Sequence, residues 1–313
     1  MRKIGIVVHG GAGSDSDYIR SNIKGYKKGL EDAIKAGYSL LEEGASAVDA
    51  VEAAVNALED NPLFNAGKGS AINSKAEVEM CASIMNGKDL NSGAVAIVKN
   101  IKNTITLARA VMEKTKHIYL GNKGAMSFAE EINIAMEPDA YFITEHQFEV
   151  YEKARKEEKG NQQALGREQV NERMHGTVGA VALDWQGNLA SATSTRGIEY
   201  SKDGRIGDSS MIGVGSYANN RTCAISSTGD GELIIQHTVA FHISAIMEYR
   251  GLSLEEACTF FINEKCKDVK GDIGIIGIDG NGNVSFEFKS ERMHRGYRTS
   301  DKDMWVGIYP GGE

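Results

Sequence analysis

The sequence predicts an α+β protein in which sheets pack on each other and helices lie outside. Three observations carry that expectation. Strand-like and helix-like stretches alternate in blocks along the chain, which suggests layers around a shared core. The run Gly93-Ala94-Val95-Ala96-Ile97-Val98 is apolar at every position, as a strand buried on both faces must be. At His175-Gly176-Thr177-Val178-Gly179 a polar, charged segment turns abruptly into β-rich sequence, and no internal repeat is visible.

In order, the apolar run at 4–8 reads as a first strand, and His9-Gly10-Gly11-Ala12-Gly13-Ser14 as a glycine-rich loop. A helical stretch covers about 18–43 and ends near Gly44. The next, at 46–59, opens with Ser46 and Asp49 at capping-box spacing and keeps Val48, Val51, Val55 and Leu58 on one face. Asn61 to Ser70 is an irregular turn; strands are expected at 77–85 and 93–98, a helix at 104–114, a short strand at 117–120 and a helix to about 132. Residues 144–174 are poor in apolar side chains and read as an exposed helix fraying into a flexible linker, about 151–174. Beyond it, strands at 177–183 and 189–193 flank the hairpin signal Asp184-Trp185-Gln186-Gly187-Asn188. A strand at 222–227, helices at 233–249 and 254–265 (the second introduced by Ser253 and Glu256), a hairpin around 279–283 and a strand near 304–309 complete the chain.

The 313 residues, 41% hydrophobic and 25% charged, suit an ordinary globular protein with a sizeable core. A formal charge of −8 argues against nucleic-acid or anionic-membrane partners, since both need concentrated Lys and Arg. The amino terminus is too poor in apolar residues for a signal peptide, and no stretch approaches the length of a membrane span. The four cysteines, Cys81, Cys223, Cys258 and Cys266, show no metal-like pairing and no disulfide framework, so a cytoplasmic protein with reduced thiols is expected. The scattered histidines offer no transition-metal motif.

Gly176-Thr177 carries a chemical possibility. A Thr hydroxyl can attack the carbonyl that precedes it if that residue leaves the carbonyl accessible, and glycine does. The ester formed would be opened by water. The released α-amine of Thr177, with an ordinary pKa of about 7.7–8.0, could then serve as base for its own hydroxyl. Taken alone, Gly-Thr-Val-Gly reads more simply as the start of a strand. Other motifs reverse that preference.

Those motifs are Thr193-Ser194-Thr195, Gly204-Arg205-Ile206-Gly207-Asp208-Ser209 and Ser227-Thr228-Gly229-Asp230-Gly231-Glu232. With His-Gly-Gly-Ala-Gly at 9–13 and Asn61-Pro62-Leu63-Phe64-Asn65-Ala66-Gly67, they resemble the plant-type asparaginase and isoaspartyl peptidase family of amino-terminal-nucleophile (Ntn) hydrolases. The likeness runs across nearly the whole chain in unbroken motif order. It implies a four-layer αββα sandwich, one Ntn-hydrolase domain made of an α half (1–176) and a β half (177–313), and a homodimer of such αβ units.

The resemblance implies roles as well. Thr177 would be the nucleophile, freed by cleavage after Gly176. Thr195 would position it, and Thr228 with the Gly229 N–H would form the oxyanion hole. Asn65 would support the Thr177 amine. Arg205 and Asp208 would clamp the α-carboxylate and α-ammonium of an aspartyl substrate, helped by the Gly231 carbonyl; a planar Arg fork suits a carboxylate and an Asp an ammonium. Taken alone, Arg205 and Asp208 could instead be a local ion pair. With both α groups held, only the side-chain carbonyl can reach Thr177, so isoaspartyl dipeptides and asparagine are the expected substrates. No cofactor is needed for catalysis. A structural sodium ion would sit on the backbone carbonyls of Leu58, Glu59, Asn61, Phe64, Ala66 and Lys68, hard oxygen ligands for such a cation.

The sequence departs from the family pattern at Arg196, where Gly is common and a long cation could crowd the leaving-group side. Cys81 and Asn86 replace usual acids, Ser210 replaces a usual Pro, and Asp230 sits inside the Thr-Gly-x-Gly loop. Three rival readings stay open: hydrolysis of glycosylated asparagine, an unprocessed binder of aspartyl ligands, and a nucleotide-binding protein using the Gly10-Gly11 loop. The last fits neither the dinucleotide fingerprint nor the P-loop spacing.

Overall fold

The computed structural model describes residues 3–161 and 176–312. His175 and most of the expected linker therefore lie outside the described residues.

The chain opens with strand β1 (Gly5–Gly13), then helices α1 (Asp17–Ser21), α2 (Ile23–Glu42) and α3 (Ala47–Glu59). Strands β2 (Met80–Asn86) and β3 (Ser92–Val98) form a hairpin, followed by α4 (Thr104–Lys114), β4 (Tyr119–Gly121), α5 (Asn122–Glu131), α6 (Asp139–Phe142) and α7 (Glu145–Asn161). After the undescribed segment come β5 (Val178–Leu183), β6 (Leu189–Thr195), a 3₁₀ turn at Asp208–Ser210, β7 (Ser216–Ala218) and β8 (Cys223–Gly229). Helices α8 (Gly231–His237), α9 (Val239–Arg250) and α10 (Leu254–Phe260) lead to β9 (Ile273–Asp279), β10 (Val284–Lys289), β11 (Arg292–Thr299) and β12 (Trp305–Gly307).

Eight strands make one sheet in the order β12-β11-β1-β5-β6-β2-β3-β4, and four make a second, β10-β9-β8-β7. Side-chain alternation sorts the strands into layers. On β1, Ile6 and Val8 join the cluster under α2 and α3 while Val7 points the other way; on β5, Ala180 and Ala182 face the helices while Val181 and Leu183 face inward. Val7, Val181 and Leu183 meet Ala224, Ile276 and Ile278 of the smaller sheet. The other face of that sheet carries Ile225, Ile273 and Ile275 against Ile243 of α9 and Leu254 of α10. The protein is thus the expected αββα sandwich, with apolar layers on both faces of both sheets.

Local signals explain most boundaries. Both capping boxes form, Ser46 with Asp49 and Ser253 with Glu256. The two hairpin loops share one device: Asp184 Oδ1 accepts from the Gln186 and Asn188 N–H groups, and Asp279 Oδ1 from those of Asn281 and Asn283.

Several expectations need correction. The helix expected at 18–43 breaks at Asn22, whose side-chain amide donates to the Tyr18 carbonyl at 2.8 Å. The helix expected at 233–249 breaks at Thr238, which takes a left-handed conformation (φ 47°). The strand expected at 77–85 begins only at Met80. The glycine-rich stretch is not a free loop, because β1 continues through a register shift between His9 and Ala12. Strand β11 was not anticipated, since Arg292, His294, Arg295 and Arg298 hide any apolar alternation. It is buried by ring stacking of cations instead: the Arg295 guanidinium lies 4.7 Å from the Phe288 ring and 5.0 Å from that of Phe286. Among the described residues no helix is long and apolar enough to cross a membrane.

Candidate active site

The site forms where the central strands of the two sheets end. Val178 pairs with Ser194, so Thr177, the residue just before β5, lies across from Thr195, which ends β6. Gly179 pairs with His9, which brings the end of β1 alongside. From the second sheet, β8 delivers Thr228 and Gly229. Gly229 has φ 128°, and a Cβ there would stand 2.3 Å from the Asp272 carbonyl oxygen, so glycine is required.

Gly176, Thr177, Thr195, Gly197, Ile198, Arg205, Asp208, Gly229 and Gly231 line one small cavity. The structure therefore brings together seven of the residues singled out from sequence. The Thr177 hydroxyl is buried and lies 3.4 Å from the Ser209 hydroxyl. Thr228 Oγ1 accepts from the Ala12 N–H at 3.2 Å and reaches the Thr177 carbonyl at 3.5 Å. Thr195 Oγ1 accepts from the Gly197 N–H at 2.8 Å, which fixes its rotamer beside Thr177.

Among the described residues Arg205 and Asp208, both lining the cavity, form no ion pair with each other. Arg205 gives Nε and Nη2 to the two carboxylate oxygens of Glu232, at 3.0 and 2.6 Å. Its ion-pair partner is thus Glu232 and not Asp208, contrary to the simple local pairing. Asp208 is buried, its Oδ2 has no hydrogen-bond partner among the described residues, and burial pushes its carboxyl up to about 7. Gly231 is wedged between the two: a Cβ on it would lie 2.8 Å from Arg205 Nη2 and 2.9 Å from Asp208 Oδ1.

Asn65 sits beside Gly176, whose added Cβ would stand 3.1 Å from the Asn65 Cβ. Its amide nitrogen donates to the Gly197 carbonyl at 2.6 Å and its oxygen accepts from the Ala71 N–H at 2.8 Å. Both polar atoms are thus engaged with backbone next to the site.

Sequence reasoning missed His9 as a site residue. Its Nδ1 lies 3.0 Å from the Thr177 carbonyl and its Nε2 2.8 Å from Ser226 Oγ, which in turn meets Thr193 Oγ1 at 2.7 Å. Burial drops the imidazole to about 3, so the ring is neutral, with Nδ1–H donating to the carbonyl and Nε2 accepting from Ser226. The available signal was a lone polar residue closing an apolar strand. Ser209 and Glu232 lay inside quoted motifs but had been given no role.

The departures from the family pattern resolve locally. Arg196 does not line the cavity. It is buried, and it donates to the Ile198 carbonyl, the Ser201 hydroxyl and the Glu77 carbonyl at 3.2, 3.0 and 3.4 Å, stapling the segment after β6. Asn86 caps its own turn by accepting from the Lys88 N–H at 3.1 Å. Cys81 is buried opposite Thr195, and Ser210 is hydrogen-bonded to the Tyr119 hydroxyl.

In the loop expected to hold sodium, the Glu59 carbonyl accepts from the Lys68 N–H at 2.7 Å, and the Pro62 and Phe64 carbonyls turn inward toward Gly69. The Leu58 and Asn61 carbonyls of the expected set likewise accept from the Asn61 and Phe64 N–H groups, at 3.2 and 3.3 Å. Among the described residues no group of three His, Cys, Asp or Glu side chains could hold a metal.

A four-layer αββα sandwich with a Thr at the head of an inner strand has the architecture of the Ntn hydrolases. The chain belongs to the asparaginase family, whose profile matches residues 2–308. It is 40% identical over 312 residues to the isoaspartyl peptidase of Escherichia coli (strain K12), covering 99% of this chain and 97% of that protein. It is 44% identical over 292 residues to the isoaspartyl peptidase/L-asparaginase of Bos taurus, covering 92% of this chain and 91% of the relative. The human protein of the same name is also 44% identical, over 293 residues.

Proposed function

We propose that this chain is a threonine amidohydrolase that cuts itself before Thr177 and then hydrolyses β-aspartyl dipeptides and L-asparagine. The observation that carries the reading is the shared cavity: Thr177, Arg205 and the buried carboxylate Asp208 line one space together with Gly229 and Gly231. The names of the relatives, isoaspartyl peptidase and isoaspartyl peptidase/L-asparaginase, support the same substrates.

In processing, Thr177 Oγ attacks the Gly176 carbonyl carbon, the C–N bond breaks, and the α-amine is released as the acyl group moves to oxygen. Water then opens that ester and frees the Gly176 carboxylate. In turnover the free amine takes the proton from Oγ, which attacks the side-chain carbonyl of the bound aspartyl group. Negative charge developing on that oxygen is met by the Thr228 hydroxyl and the Gly229 N–H, donors worth roughly 3–4 kcal/mol each in such sites. The amine leaves with a proton, and water hydrolyses the β-aspartyl ester. Asp208 takes the α-ammonium and Arg205 the α-carboxylate, Thr195 holds Thr177 in line, and Asn65 shapes the wall at Gly176. His9, held between the Thr177 carbonyl and the Ser226 hydroxyl, is a positioning residue.

Sodium, when bound, would be held by the carbonyl oxygens of Leu58, Glu59, Asn61, Phe64, Ala66 and Lys68 and would stiffen the loop that carries Asn65. We expect it to raise thermal stability. A homodimer of αβ units acting on small aspartyl substrates in the cytoplasm completes the proposal.

Denaturing electrophoresis with mass spectrometry tests it directly. The parent should give two fragments, the second beginning at Thr177, and Thr177→Ala one intact, inactive band. Rates on β-aspartyl-leucine, asparagine and a glycosylated asparagine follow. A parent that remains whole yet hydrolyses these amides would sink the mechanism, and a dominant rate on the sugar substrate would replace the substrate assignment.

A further inference from the structure

A second cavity adjoins the first and shares Gly176 with it as a wall. It encloses about 30 Å³, so a bound residue would enter only as Gly176 moves away, and no step described so far uses it. Its lining is polar and built from distant parts of the chain: Gly10, Tyr26, Gln147, Glu199, Arg292 and His294 among others.

Two of these side chains are buried acceptors without a partner among the described residues. His294 is 2% exposed and its Nδ1 faces the Gly10 carbonyl at 3.3 Å, so Nδ1 carries the proton and the unmet Nε2 is a lone pair. Its ring is held by stacking on Tyr26, with centroids 4.3 Å apart. Gln147, 9% exposed, leaves its Oε1 unmet. Buried acceptors left unmet oppose folding, so their retention points to a ligand that supplies N–H donors. Beside them Arg292 is 3% exposed, and the hydrogen bond it makes to protein is from Nε to the Ser14 carbonyl at 3.0 Å. The carboxylates of Asp15 and Asp272 act on it through space, and Asp15 is itself paired with Arg20 at 2.6 Å. A cation, two acceptors and the acid Glu199 around one space complement a molecule with one carboxylate and one amino group.

We propose that this cavity is the leaving-group subsite, taking the second residue of a β-aspartyl dipeptide with its α-carboxylate on Arg292 and its nitrogen toward His294 and Gln147. The inference rests on the amidohydrolase reading. When Gly176 is cut free and moves, the two cavities become one bipartite site, the aspartyl half at Arg205 and Asp208 and the leaving half at Arg292. As the amide breaks, the leaving nitrogen gains the proton that the Thr177 amine took from Oγ and becomes the amine of a free amino acid, which suits the unmet acceptors of His294 and Gln147. Asparagine, whose leaving group is ammonia, cannot use Arg292.

The test is the ratio of kcat/KM on β-aspartyl-leucine to that on asparagine. A charge-assisted hydrogen bond to a carboxylate corresponds to roughly ten- to a hundredfold in binding, so Arg292→Gln should lower the ratio by that factor, mainly through the dipeptide KM. Arg292→Lys should recover most of it, and the parent should show a similar loss on β-aspartyl-leucinamide, which lacks the carboxylate. A ratio unmoved in Arg292→Gln, whether both rates hold or fall together, overturns the subsite while leaving the amidohydrolase intact. A parent inactive on both substrates overturns the underlying reading instead.

Discussion

Asp208 shows what burial does to a carboxylate with one oxygen left without a hydrogen-bond partner among the described residues. With burial holding its carboxyl near 7, the free enzyme loses the ammonium-binding charge as pH falls through that value. The KM for asparagine should therefore rise as pH drops from 8 to 6, separately from the fall in kcat that protonation of the Thr177 α-amine brings over the same range. Asp208→Asn should raise KM more than about tenfold and flatten that profile. Stability follows with the opposite consequence. The native state keeps its proton up to about 7 and the unfolded chain releases it near 3.8, so the native state loses ground as pH rises through that window. Asp208→Asn should thus gain more in melting temperature at pH 8 than at pH 5, by a few degrees. If the variant's gain is the same at both values, the carboxylate is not buried as described.

The elements place these residues, and the close approach of β5 to its neighbours is the tightest requirement. A Cβ at Gly179 would stand 2.1 Å from Ser226 Oγ and 2.4 Å from His9 Nε2, the two atoms whose hydrogen bond lies beneath Thr177. Gly179→Ala should cost about 1–3 kcal/mol in urea unfolding and lower kcat, because the ring that holds the Thr177 carbonyl must move. Gly124 in α5, with nothing within 4 Å of an added Cβ, is the control. Gly124→Ala should be neutral or stabilising by up to roughly 1 kcal/mol. Equal losses in both variants would remove the packing argument.

In the whole molecule the site depends on two sheets meeting. Thr177 and Thr195 come from the eight-stranded sheet, Thr228 and Gly229 from the four-stranded one, and Ile276 lies fully buried in the apolar layer between them. Ile276→Ala should cost roughly 2–5 kcal/mol and lower kcat at temperatures where the variant is still folded. Leu41→Ala, an equally buried change in the outer layer under α2, should cost a similar amount and leave kcat near the parent value. Parallel kcat losses in the two would show that the inter-sheet layer has no special part in aligning the site.

Much of this was legible in the residues themselves. Thr177 after a glycine, Arg205 with Asp208, and Thr228-Gly229 drew notice through the order of motifs along the chain, because each taken alone has a plainer local reading, a strand start or an ion pair. The helices that form the outer layers showed their period and caps, and the apolar strands their burial. Strand β11 did not, since its cations are buried by aromatic stacking that no alternation reveals. Nor could spacing choose Glu232 over Asp208 as the partner of Arg205, seat His9 beneath Thr177, or gather Gly10, Gln147 and Arg292 around one cavity. Local sequence governs what a residue can do and which short element it joins, because those depend on neighbours a few positions away. Which distant side chains share a space, and which buried atoms stay unmet there, is decided only when the two sheets close on each other.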